Sequence, residues 1–213
     1  ESSTQQGNVG AERRLEDGRA FRYAYFAAAT NRGLLVSTDV SATSVVEVDG
    51  KCTAASAAAT EVTITDSTTL GSATADQYAG AYLHITDDAG EGHQYRIKGN
   101  TAASSNAVDF TLYDGLLVAV SSASDIAITG YPYNSVRGAT AGTDYIVSGV
   151  TVMSVTANYY AWVQTRGIAT VLSDGAVAIG ANLTLSDGVA GAVQLKDAET
   201  EPLVGFACFA SDD

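Results

Sequence analysis

Five residues that could do chemistry fall within ten positions: His84, Asp87, Asp88, Glu91 and His93. Imidazole and carboxylate groups at a turn are the donor set of a zinc or calcium site. If two strands pair through that turn, both histidines can approach one another and the acids can complete the shell. The spacing is not that of a helix–loop–helix calcium loop, however. An acidic, Gly-rich turn is also the ordinary way to solubilise a hairpin tip. The solvated turn is the reading taken, so no metal and no cofactor is expected, with His84, Asp87 and His93 kept as the weak metal candidates. A second pair of acids, Glu199 and Glu201, flanks Thr200. Two carboxylates are the minimum for glycoside hydrolysis, but a sugar cleft needs aromatic walls and Trp162 is the single tryptophan. Tyr159, Tyr160 and Trp162 can line a sugar site or anchor a core or oligomer contact, and the anchor reading is preferred.

The other chemical signatures do not occur. The chain has no phosphate-binding GxxxxGK[ST] loop, no G-x-S-x-G elbow, no H-E-x-x-H and no C-x-x-C. Two histidines leave little room for a His-based triad or a three-His zinc site. The chain is therefore expected not to be an enzyme. Cys52 and Cys208 are too few and too far apart for a disulfide framework. Cys208, in the apolar run 204–209, is expected to be a buried small hydrophobe, consistent with assembly in a reducing cytoplasm.

The elements that must position these residues are strands. Period-two patterning covers most of the chain. Residues 19–26 put Phe21, Tyr23 and Tyr25 on one face. Short runs follow at 33–37 and 44–48. The Ala/Ser/Thr-rich stretch 51–60 reads as a linker and a subdomain boundary. Residues 60–130 form a compact β module: 61–66 with Val62 and Ile64 on one face, 81–86 with Leu83 and Ile85, 93–98 with Tyr95 and Ile97, 107–113 with Val108, Phe110 and Leu112, then 116–120 and 125–129. After a loop at 134–143, strands resume at 144–156 (split by Gly149), 159–165, 168–172, 182–185, 192–195 and 202–210. Asp-Gly steps at 17–18, 49–50, 114–115, 174–175 and 187–188 mark turns, because glycine takes positive φ without strain. Leu172-Ser173-Asp174-Gly175 recurs as Leu185-Ser186-Asp187-Gly188, read as two successive turns and not a solenoid, which needs at least three repeats. The fold class expected is all-β: a hairpin-rich barrel or sandwich built from 19–50 and 131–213, a second β module at 60–130, and an extended N-terminal arm at 1–18.

Composition narrows the partners. Hydrophobic residues are 46% of the 213, many of them alanine, and charged residues only 16%. So low a charge suits a surface covered by neighbours or displayed at high density. The net charge of -13 makes nucleic acid a poor partner, since phosphate binding needs clustered Lys and Arg. Residues 1–32 hold five basic groups (Arg13, Arg14, Arg19, Arg22, Arg32) against four acids, or +1. That leaves 6 basic and 20 acidic residues, or -14, for 33–213. A basic arm on an acidic body suggests docking on an acidic surface. No apolar stretch approaches the ~20 residues of a membrane helix, so no membrane association is expected. No signal-peptide pattern is visible in a chain that opens without Met.

Three stretches carry a resemblance. Residues 15–24 (LEDGRAFRYA) are similar to the N-terminal opening of a group of marine tailed-phage virion proteins. A second is 80–99 (GAYLHITDDAGEGHQYRIKG). The third, 159–209, is similar in layout to small phage head-decoration proteins, in which a Gly-Ala-rich hairpin with a DG turn precedes a final Val-Gly-x-Ala strand. The resemblance implies a capsid decoration or cement protein on the outer surface of the virion, assembled in the host cytoplasm. It implies the major capsid protein as partner, a homo-oligomer (dimer or trimer), and no catalytic residues. Its expected capsid contacts are Arg13, Arg14, Arg19 and Arg22, pairing with acidic groups, and Phe21, Tyr23 and Tyr25, packing or extending a sheet edge. For the same segment an ordinary first strand of the core stays open. The rival functions are a tail, fibre or head-fibre protein binding host glycan, a carbohydrate-active enzyme using Glu199 and Glu201, and a bacterial surface or filament protein.

Overall fold

The computed structural model describes residues 1–38, 45–48, 52–66, 70–142 and 146–211. The protein is all-β, with fifteen strands and no helix among the described residues. It divides into two compact units, Glu1–Asp39 with Pro132–Asp213, and Val40–Tyr131.

Unit 1 contains β1 (Glu12–Arg14), β2 (Ala20–Phe26), β3 (Leu35–Thr38), β10 (Val136–Gly138), β11 (Val147–Thr151), β12 (Tyr159–Arg166), β13 (Asn182–Leu185), β14 (Val193–Leu195) and β15 (Gly205–Phe206). Strands β2, β10, β3, β11 and β12 close into a five-stranded barrel, because β12 pairs back onto β2. The interior is narrow and the inward residues are small or branched: Ala24 opposite Ala161, then Val36, Val136 and Val163, with Phe26 filling one end. Alternation sends Tyr23, Tyr25, Tyr160 and Trp162 to the outer face. A three-stranded sheet, ordered β14-β13-β15, adds a second apolar layer around Leu35, Ala139, Leu185 and Val193.

Unit 2 contains β4 (Val45–Val48), β5 (Glu61–Thr65), β6 (Tyr82–Asp87), β7 (Gln94–Asn100), β8 (Ala107–Leu112) and β9 (Asp125–Thr129), ordered β4-β9-β6-β7-β8-β5. The expected inward faces of β5 to β8, including Val62, Ile64, Leu83, Ile85, Tyr95, Ile97 and Phe110, all meet in one core, to which β9 adds Ile126 and Ile128. The sheet thus wraps around its own side chains, and Leu70, Tyr78, Leu116 and Val120 from the connecting segments are buried in the same core.

Several expectations are corrected. The run at 45–48, placed with the main domain, pairs with β9 in unit 2. The stretch taken as a linker belongs to unit 2 as well: Cys52 bridges Ile64, and Ala55 bridges Val120. Small side chains let this segment lie close; a Cβ on Gly115 would stand 2.7 Å from the Ala58 carbonyl oxygen. Residues 116–120 and 168–172 are not strands, and only Gly205–Phe206 of 202–210 is. Gly149 does not split β11 but sits at a bulge within it. Residues 1–18 are extended chain, yet laid against the barrel and not free: β1 pairs with β2, and Ser2 with Tyr160. The Asp49-Gly50 turn lies outside the described residues.

Candidate interaction surfaces

The basic N-terminal segment is organised by β1. Its three residues, Glu12, Arg13 and Arg14, are all exposed, and β1 is the outermost strand of its sheet. Antiparallel pairing sets Glu12 opposite Arg22. Glu12 accepts from Arg14 Nε and, at 2.8 Å, from Arg22 Nη2. The Arg14 hydrogen bond holds the Glu12 carboxyl below its usual range, and the charges of Arg14, Arg22 and Arg166 add to this. The Asp17-Gly18 turn is tied by its own side chain. Asp17 accepts from the Arg19 main-chain N–H at 3.0 Å and from Arg19 Nε at 2.7 Å, both lowering its pKa. Three of the four expected capsid-contact arginines, Arg14, Arg19 and Arg22, are therefore engaged inside this chain. Arg13 forms no ion pair among the described residues. Phe21 and Tyr23 are buried in unit 1, and Tyr25 is half-buried. Phe21 and Tyr23 both stand on β2, which has sheet neighbours on both sides.

The aromatic residues form a ladder on the outer barrel face. In register, Tyr23 stands opposite Trp162 and Tyr25 opposite Tyr160. Tyr23 packs on Trp162 with ring centres 5.2 Å apart and stacks on Tyr160 at 5.8 Å, while Tyr25 tilts against Tyr160 at 5.1 Å. The N-terminal segment crosses this ladder. The Gln6 N–H donates to Tyr23 Oη at 3.0 Å, Gly10 N–H donates to the Tyr23 carbonyl at 2.7 Å, and Ser2 and Tyr160 exchange two main-chain bonds. Tyr160 and Trp162 are half-buried here; Tyr159 turns to the barrel interior.

The sequence reading missed a third surface. A groove of about 490 Å³ runs between β11–β12 and the segment 202–209. Its described lining is apolar apart from a few polar groups, with Arg166 the single charged residue. Ile168 (74% exposed), Leu203 (51%), Phe206 (62%) and Phe209 (58%) form its rim. Cys208, expected to be buried, is exposed in this lining. The run 202–210 looked like a buried strand because it is apolar. Its two phenylalanines are three residues apart, however, which is not the period of a strand, and that was the available signal.

The two histidines of the β6–β7 hairpin point to opposite faces. His84 pairs with Gln94 on the outer face, whereas His93 follows Tyr95 toward the inner side, stacked on its ring at 6.3 Å. His93 Nδ1 lies 2.9 Å from the Gly90 carbonyl oxygen. Period-two alternation therefore separates His84 from His93, and no three-residue group of metal-binding type occurs among the described residues. Asp88 is held below its usual pKa by a hydrogen bond from Ser121 Oγ. Glu201 caps its own turn, accepting from the main-chain N–H groups of Asp197 (3.1 Å) and Ala198 (3.3 Å), while Glu199 is exposed. The two LSDG repeats meet in space: Ser186 Oγ donates to Asp174 Oδ2 at 2.5 Å. The chain has no match among protein-family models, curated proteins or solved structures.

Proposed function

We propose that this is a structural assembly protein that binds the outside of a phage capsid lattice and stabilises it, as a homo-oligomer. One observation carries the reading: a low-charge chain exposes eight large apolar side chains within 168–209, four of which line one open groove. Monomeric proteins rarely leave such patches uncovered. The capsid as partner follows from the resemblance in 15–24, 80–99 and 159–209. A protein that binds only the assembled shell stabilises it by its binding free energy, and weak contacts repeated over a lattice sum.

The β1 edge is the part assigned to the lattice. It presents Arg13 and Arg14 on an exposed outermost strand, opposite in charge to the body. Stoichiometric virion proteomics tests the function: the chain should approach the major capsid protein in copy number. A handful of copies per particle would instead support a fibre or glycan-binding role, for which the half-exposed Tyr25–Tyr160–Trp162 ladder is the natural platform. Co-sedimentation with capsids tests the edge. Arg13→Glu should weaken binding and make the remainder less salt-sensitive, and unchanged binding would remove β1 from the contact.

A further inference from the structure

We infer that the groove face of unit 1, rimmed by Ile168, Leu203, Phe206 and Phe209, is where one copy of this chain binds a second copy. This gives the homo-oligomer of the assembly reading its contact surface. The solution mass that tests it is blind to capsid binding, so either can fail without the other.

Area is the first argument. At roughly 200 Å² per large side chain, the four rim residues alone expose on the order of 500 Å² of mostly apolar surface. That is more than half of the ~800 Å² each partner contributes to a stable interface of ordinary size. Leu195, 45% exposed, extends the face, because it lies opposite Leu183 of the groove lining across the β13–β14 pairing.

Charge selects the occupant. The chain carries -13, so two copies repel wherever their acidic surfaces meet. The runs 167–173, 175–186 and 202–211 contain no charged residue at all. A strongly basic partner would gain more by meeting the acidic surface than by covering a neutral face. A like-charged copy gains most from this face, where Arg166 is the single charge in the described lining and burial of apolar area meets little of the acidic repulsion. The sheet order β14-β13-β15 also leaves β15 as an edge strand beside the groove. Another exposed apolar group, Tyr113, Leu117 and Val118 of unit 2, is smaller and serves as a control.

The test is the mass of the full chain by light scattering across a concentration range. Wild type should be a closed oligomer. The double variant Phe206→Asp/Phe209→Asp should be monomeric with an unchanged far-ultraviolet circular dichroism spectrum, and Leu117→Asp should keep the wild-type mass. Should the double variant fail to fold, Ile168→Asp on the opposite rim makes the same test. Cys208 gives an independent readout, because a second copy would cover it: maleimide should label it several-fold more slowly in wild type than in the monomeric variant. A monomeric wild type at every concentration, an oligomer that survives these aspartates, dissociation by Leu117→Asp, or equal Cys208 reactivity would each overturn the inference.

Discussion

Gly149 adopts φ +148° at the bulge of β11, and a Cβ there would stand 2.5 Å from the Gln164 carbonyl oxygen and 2.6 Å from Val163 Cγ1. One of those neighbours is backbone of an adjacent barrel strand and cannot swing aside. Gly149→Ala should therefore cost about 2–4 kcal/mol, combining an unfavourable φ with overpacking. Gly175, at φ +87° with open space around it, should cost only about 1 kcal/mol on the same change. Urea unfolding midpoints compare the two; equal midpoints would show that the bulge relaxes freely. Cys52 supplies a second residue-scale expectation. It is buried, and burial pushes its thiol up to about 11 from an ordinary 9.0. The neutral thiol is the form that the fold accommodates, so its contribution is intact below pH 9.0 and is lost as pH rises through about 11, since the unfolded chain ionises first. In a Cys208→Ser background, Cys52 should resist maleimide at pH 8 until denaturant is added. Cys52→Ala should flatten the alkaline loss of stability relative to wild type; parallel curves would refute the assignment.

At the scale of elements, the N-terminal segment holds the outer aromatic ladder in place through Ser2, Gln6 and Gly10. Removing residues 1–10 should uncover Tyr23 and Tyr160 and, through them, Trp162, the only tryptophan. Its fluorescence should shift to the red and quench more readily with acrylamide; an unchanged spectrum would mean the segment does not pack there. Elements of this kind were the least legible in the sequence. In β2 the aromatic residues marked one face, although residues of both faces are buried. In β5 to β9 alternation was visible because one face of each is more deeply buried than the other. Alternation could not mark β1, whose Glu-Arg-Arg has no buried face, nor β10, whose Val-Arg-Gly is too short to alternate although Val136 enters the barrel core between β2 and β3. The Asp-Gly steps were legible as turns, but not which would need positive φ: Gly18 and Gly175 do, while Gly115 and Gly188 do not. The candidate surfaces were harder still. The arginines were visible, but the Arg22–Glu12 pair depends on the β1–β2 register and the Arg19–Asp17 pair on the geometry of the local turn. The apolar groove arises from residues scattered between Leu35 and Ser211.

At the scale of the whole molecule, unit 2 is one continuous insertion between β3 and β10 of unit 1. The sequence showed a second module but set its start too late, because 45–48 look like any short strand and their partner β9 lies some eighty residues away. The two ends of the insertion return to one place: Thr38 pairs with Val136, and Thr38 Oγ1 donates to the Pro132 carbonyl at 2.8 Å. Each unit also has its own core, so neither needs the other's side chains to bury its strands. A loop joining adjacent strand ends costs little extra entropy when shortened or lengthened. Replacing residues 40–131 by a short Gly-Ser link should then leave unit 1 folded, with Trp162 emission and cooperative unfolding retained. The excised 40–131 piece should fold alone, since its strands enclose a core containing Phe110, Ile97 and Ile128. Loss of cooperative unfolding in both pieces would mean that the barrel and the inserted module form one folding unit, despite their separate cores.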